Sequence, residues 1–235
     1  MSSLPAALPV WRADQLAGTA SDAPTRPTGH AALDAELPGG GWPAAGLTEL
    51  LIAAPGSGEL RLLAPSLAAA AAPVLWAAPP LQPYAPALAA LGLAPGRLAI
   101  ADTERAADAA WAAEQALRSG ALAAVLWWQG HEPVAAPTLR RLHLAAVEGG
   151  TPLYALRPSA VRAQSSPAPL RVALTLAAPG QLAVDVFKRR GPPLAAPLLL
   201  DLPAPVRRRA RRATTAPTEA PTHAVVRPAP ARVAA

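Results

Sequence analysis

The chain has 235 residues, and its 21 Lys and Arg outweigh 15 Asp and Glu to give a net charge of +6. It contains no Cys, which excludes disulfides, a thiolate nucleophile and Cys-based zinc or iron–sulfur centres. All the basic residues but Lys188 are Arg, and Ala, Leu and Pro abound, the usage of a GC-rich genome rather than a sign of function.

That length suits one domain with tails. Residues 1–27 are dotted with Pro, Ser and Thr and read as an extended segment in which Val10-Trp11-Arg12 is a candidate docking stretch. The start lacks a basic region followed by an apolar one, so no signal peptide is expected and a cytoplasmic location is. Residues 28–203 read as an α/β domain. A short helix from Ala31 to Leu37, capped near Thr28 or Gly29, leads to the turn cluster Gly39-Gly40-Gly41-Trp42-Pro43. Gly46 to Ile52 is a strand, Leu60 to Ala72 a helix ended by Pro73, and Val74 to Ala77 the next strand. Prolines at 65, 73, 79 and 80 interrupt the most apolar run, Leu62 to Leu81, so it reads as helix then strand and not as a membrane span.

A helix around Pro86 to Leu91 and a strand from Arg97 to Ala101 follow. Thr103 to Ser119 is an Ala-rich helix with Asp102 or Thr103 as N-cap and Glu104 in its first turn. Leu122 to Trp128 is a continuous apolar strand of the kind buried on both faces of a parallel sheet. Pro137 to Gly149 is a helix and Pro152 to Leu156 a strand. Strands alternating with helices predict a parallel sheet. The pattern then changes: Leu170 to Leu176, Gln181 to Lys188 and Pro197 to Leu202 read as antiparallel strands joined by Gly-Pro turns. Residues 204–235, rich in Pro, Ala, Thr and Arg without an apolar period, are expected to be disordered.

Between the first long strand and its helix lies Ala54-Pro55-Gly56-Ser57-Gly58-Glu59-Leu60. A phosphate loop of the form G-x-x-x-x-G-K-[ST] needs a Lys for the β/γ-phosphates and a hydroxyl for Mg²⁺. Here Glu59 and Leu60 stand in those places, so Pro55, Gly56, Ser57, Gly58 and Glu59 form the outline of such a loop without its chemistry. The bend still offers backbone N–H groups at a helix N-terminus.

The order of elements resembles the RecA-type core. Thr28-Gly29 to Leu33-Asp34 resembles its "TG…LD" segment, and Gly39 through Leu50, including Thr48-Glu49, is similar to its approach to the phosphate loop. Tyr84 to Leu98 and Ala116 to Ala121 extend the likeness over about residues 25–160. Within that superfamily, Trp127-Trp128, the closing Phe187-Lys188-Arg189-Arg190-Gly191-Pro192-Pro193 and the irregular tail resemble the ImuA family, a SulA-like branch. The resemblance implies a RecA-like fold and a part in SOS-induced translesion synthesis beside RecA, ImuB and an error-prone polymerase, with no known catalytic activity. It also marks two further losses. The strand expected to end in a Mg²⁺-organising Asp ends Leu126-Trp127-Trp128-Gln129, and Trp76 to Pro80 holds no catalytic Glu. No ATP hydrolysis, cofactor or metal is therefore expected.

Other clusters are thinner. His30, His131, His143 and His223 are scattered, and His131-Glu132 reads as a solvated loop rather than a ligand pair. Asp102, Glu104 and Asp108 suit a helix dipole better than acid–base work. Trp127 and Trp128 point to opposite sheet faces; the one nearer the strand's C-terminal end either fills the vacated nucleotide pocket or packs in the core. Trp11 and Trp42 are either partner anchors or covers of the core edge. Two basic groups, Lys188-Arg189-Arg190 and Arg207, Arg208, Arg209, Arg211 and Arg212, suit DNA phosphates, an acidic partner or a solubilising role. The expected function is a non-catalytic adaptor. Its rivals are a SulA-like cell-division inhibitor acting on FtsZ, against which the basic tail weighs, and a weak DNA-dependent ATPase.

Overall fold

The structure, a computed structural model, describes residues 23–130 and 132–202. Its frame is an eight-stranded sheet with helices on both faces. In chain order the elements are β1 (Thr25–Arg26), α1 (Ala31–Glu36), β2 (Trp42–Pro43), β3 (Gly46–Ile52), α2 (Glu59–Ala68), β4 (Val74–Ala77), α3 (Ala85–Ala90), β5 (Leu98–Ala101), α4 (Ala106–Arg118), β6 (Ala124–Trp128), α5 (Ala136–Glu148), β7 (Pro152–Pro158), β8 (Leu170–Ala178), β9 (Gln181–Lys188) and β10 (Leu198–Asp201). The sheet order is β10-β9-β8-β3-β7-β6-β4-β5. Neighbours from β8 to β5 run parallel, and β9 is antiparallel to both β8 and β10. The α/β class with a mostly parallel sheet and antiparallel strands toward the C-terminus is thus the observed one.

Alternation along the inner strands builds two cores. In β6, Leu126 and Trp128 face the layer holding Trp42, Leu62 and Leu63, while Val125 and Trp127 face α4 and α5. In β7 Tyr154 and Leu156 take the first side and Leu153 and Ala155 the second. Each fully buried Leu or Val contributes about 1.5–3 kcal/mol, and a one-residue slip of register would send each set into the other layer and misfit both cores. The two Trp of β6 do lie on opposite faces, and Trp42 is buried in β2, edge-on to Tyr154 at 5.9 Å.

Most element ends shift by one or two residues from expectation, and three differences bear on the site. The Ala-rich helix starts at Ala106 with Arg105 as N-cap, so Asp102 and Thr103 do not cap it and Glu104 is not in its first turn; Asp108 is. The buried face of α4 begins only at Ala109, so residues 102–105 have nothing to bury and instead line a cleft. The helix after the phosphate-loop outline ends at Ala68 rather than Ala72: its last buried anchor is Leu67, and an exposed Ala run cannot hold a further turn by packing. The N-cap of α1 is His30, although Thr28 still helps, its Oγ1 accepting the His30 N–H at 3.0 Å. Gly29 is required there, because it adopts φ +85° and a Cβ would collide with Pro65 of α2. The segment expected to be extended (apart from residues 23–27), the tail expected to be disordered, and Trp11 lie outside the described residues. Among the described residues, no helix is long and apolar enough to cross a membrane.

Candidate functional site

The parallel strands end on one side of the sheet, where α/β proteins place their ligand crevices. The loop after β3 turns there through Gly56 and Gly58, both at positive φ (85° and 106°), and Gly58 is the N-cap of α2. The Glu59 carboxylate folds back into the bend: its Oε1 accepts the Gly56 N–H at 2.7 Å. Glu59 is buried, and its Oε2 has no hydrogen-bond partner. The Ser57 hydroxyl donates to the Ala54 carbonyl at 2.5 Å. The backbone donor that a phosphate loop offers to an anion is thus taken by a side chain of the loop itself, in the first helical turn, where the dipole favours negative charge.

Beside this loop a cleft opens over the strand ends, lined by Pro55, Asp102, Glu104, Trp128, Gln129 and Glu132 among others. Trp128 lies edge-on to Trp76 at 5.3 Å, and its indole Nε1 is buried without a partner. It both borders the cleft and belongs to the core, so the two readings of this side chain describe one position. Gln129, standing where the metal-organising Asp was expected, instead accepts the Arg157 Nε–H at 2.6 Å.

Under the cleft is an ionic cluster that the sequence reading did not single out. Glu49, at the centre of β3, is fully buried. Its Oε1 accepts from Arg157 Nη1 at 2.7 Å and from the Ser166 hydroxyl at 2.6 Å, and its Oε2 from Arg171 Nε at 2.6 Å. The remaining donors of Arg171 reach the carbonyls of Val161, Arg162 and Gln164. The guanidinium groups of Arg171 and Arg162 both lie over the Phe187 ring, 4.9 and 4.2 Å from its centroid. Burying one carboxylate with two arginines demands this full set of partners. The available signal was a lone Glu in an otherwise apolar strand, a residue type almost never buried unpaired.

The first basic group sits against this cluster. Lys188 Nζ donates to the Ser166 carbonyl at 2.7 Å. Burial, then the nearby Arg171 charge, lowers its pKa below the usual lysine value, while Glu49 acts in the opposite sense. Arg189 donates to the Pro192 carbonyl at 2.6 Å and to the backbone carbonyl of Glu36, with the Glu36 carboxylate at 3.4 Å. Lys188 and Arg189 therefore serve internal bonds. His131 and the arginines at 207–209, 211 and 212 lie outside the described residues. The phosphate-loop outline meets the cleft acids through Pro55, whereas Lys188, Arg189 and Arg190 do not line that cleft. Among the described residues, no three His, Asp or Glu gather as a metal site.

Comparison with known proteins adds one partial likeness. No family model matches the chain, and no curated protein does. Among solved structures, the crystal structure of SulA from Pseudomonas aeruginosa is similar at 26% identity, covering 47% of this chain and 97% of that one, with a TM-score of 0.40.

Proposed function

We infer that the chain is a non-catalytic RecA-fold adaptor of the ImuA kind, acting in SOS-induced translesion synthesis by bridging RecA, ImuB and an error-prone polymerase. The observation that carries the non-catalytic half is the Glu59 carboxylate on the Gly56 N–H. A triphosphate entering the bend would have to break that bond and face a buried carboxylate oxygen without a partner, where catalysis of phosphoryl transfer needs positioning and cationic neutralisation. Gln129, occupied with Arg157, supplies no charge for Mg²⁺. The partner half rests on the resemblance of residues 127–128 and 187–193 to the ImuA family.

Two measurements test the reading. Phosphate release from ATP is followed with and without single-stranded DNA; none above background is expected, and DNA-stimulated turnover that disappears on changing residues 54–60 would refute it. The full chain and a variant lacking residues 203–235 are each mixed with RecA, ImuB and FtsZ for co-purification. Retention of RecA or ImuB supports the adaptor, and retention of FtsZ alone overturns it in favour of a division inhibitor.

A further inference from the structure

We propose that Lys188 is a nucleophilic amine that takes an acyl group from a small acyl phosphate, and that this modification loosens the segment between β7 and β8. Every other basic residue of the chain is Arg, so position 188 carries its one side-chain amine. The placement of that amine comes from an irregularity in the sheet. Val172 pairs with Val186 and Arg171 with Lys188, which leaves Phe187 as an extra residue in β9. Such a bulge re-aims the side chain beside it. Strict alternation would send Lys188 after Leu182, Val184 and Val186 into the first core. With the bulge it stands directly across from Arg171, against the Glu49 cluster.

That is a poor place for an ammonium. Like charges directly opposite on neighbouring strands repel. Arg171 cannot swing aside, because its donors are held by Glu49 and by the carbonyls of Val161, Arg162 and Gln164. With Arg157 also on Glu49, three cationic groups meet one carboxylate. Burial first and the Arg171 charge second make the half-buried amine less basic than an exposed lysine, with Glu49 opposing both. A lysine held beside another cation keeps more of its free-amine form near neutral pH, and the free amine is the nucleophile. The surplus positive charge draws an anionic electrophile, and an acyl phosphate combines that charge with a reactive carbonyl. In the reaction the Nζ lone pair bonds to the acyl carbon and the C–O bond to the phosphate breaks. Inorganic phosphate leaves with that electron pair and takes the proton lost from Nζ.

The consequence lies in what Lys188 holds. The segment between β7 and β8 is strapped to the sheet by side chains. Ser166 donates its hydroxyl to Glu49 and offers its carbonyl to Lys188 Nζ at 2.7 Å, and Arg162 pairs with Asp185 at 2.7 Å. An acylated Lys188 keeps one N–H but no charge, and a charge-assisted hydrogen bond is roughly twice as strong as a neutral one. The strap therefore weakens around Ser166.

The full chain is treated with acetyl phosphate near neutral pH, and acetylation of Lys188 is followed by mass spectrometry of its tryptic peptides. An N-capped peptide of residues 182–194 supplies the same lysine without the fold. Lys188 in the folded chain should react at least about threefold faster, because the gain in free amine outweighs the lower nucleophilicity that accompanies weaker basicity. Amide hydrogen exchange should then quicken at Gln164 and Ala168, whose N–H groups bond to the Val161 carbonyl and the Ser166 hydroxyl. Ala123, bonded to the Pro73 carbonyl away from the cluster, should keep its rate. Lys188→Gln should reproduce the faster exchange without reagent. Lys188→Arg, which keeps the charge, should take no acetyl group at position 188 and should leave exchange slow under the reagent. A rate equal to or below that of the peptide overturns the nucleophile. Unchanged exchange at Gln164 and Ala168 in the acetylated chain and in K188Q overturns the loosening.

Discussion

Replacing Glu49 by Gln is the sharpest probe of what holds the sheet. The side chain keeps its shape but gains an NH₂ group where an oxygen accepted from an arginine, and Arg157 and Arg171 lose their shared counter-charge at 1% and 6% side-chain exposure. Removing one partner from a buried ionic set typically costs about 3–5 kcal/mol. Against a usual total of about 5–15 kcal/mol this is a large fraction, and for a domain of this size it lowers Tm by roughly 6–20 °C. Arg157→Met supplies the control. It leaves Glu49 matched by Arg171 and Ser166 and strands only Gln129, so it should cost less. Arg171→Met should cost as much as E49Q, since three backbone carbonyls lose their donors as well. Urea unfolding followed by far-UV circular dichroism measures all three, with the slope m unchanged. If E49Q costs under about 1 kcal/mol, or no more than R157M, the cluster does not organise this sheet and the reasoning fails.

Three further outcomes follow from named contacts. Glu59→Ala frees the Gly56 N–H and should lose about 1 kcal/mol in urea unfolding, while E59K/L60T, which restores the Lys and hydroxyl of the consensus but leaves Ala53 at its first Gly, should still release no phosphate from ATP. His143 Nδ1 accepts the Leu47 N–H at 3.1 Å, and burial lowers its pKa below 6.5. The unfolded state then binds more protons just below pH 6.5, so stability should fall on acidification through that window, and His143→Gln should flatten this part of the urea-midpoint profile. Gly149→Ala drives a Cβ into the carbonyl of Leu117 at the end of α4; it should cost at least about 2 kcal/mol, by shifts in Tm.

How far the fold was legible depends on which part of it carries its own signal. Residues 46–52 and 124–128 are apolar and β-branched enough to read as strands wherever they pair, and Gly120 and Gly149 mark helix ends locally. The two-residue strands β1 and β2 carry no periodicity, since Trp42 is held by Tyr154, far along the chain. The start of α4 was misplaced because Asp102 and Thr103 offer good capping chemistry, yet tertiary burial begins seven residues later and decides where helix is worth forming. In the site, the loss of Lys and Ser/Thr at Glu59 and Leu60 was plain from spacing. Where the Glu59 carboxylate goes was not, because that depends on the positive φ of Gly56 and Gly58. Glu49 stood out only as an anomaly. Its partners, 108 and 122 residues further on, became neighbours through a strand order that no local pattern encodes. Likewise, Lys188 and Arg189 read as free cations until the sheet put Ser166 and Glu36 beside them.

These internal bonds share a logic. In phosphate-loop proteins the loop N–H groups, the acid at the end of the central strand and the helix N-terminus are satisfied in part by ligand and metal. Here three such positions are tied within the chain: Glu59 supplies the anion for Gly56, Gln129 ties the end of β6 to Arg157, and Glu49 joins β3 to β7, β8 and the segment around Ser166. On the proposed adaptor reading, the order of this sheet end would come from these internal bonds rather than from a bound nucleotide.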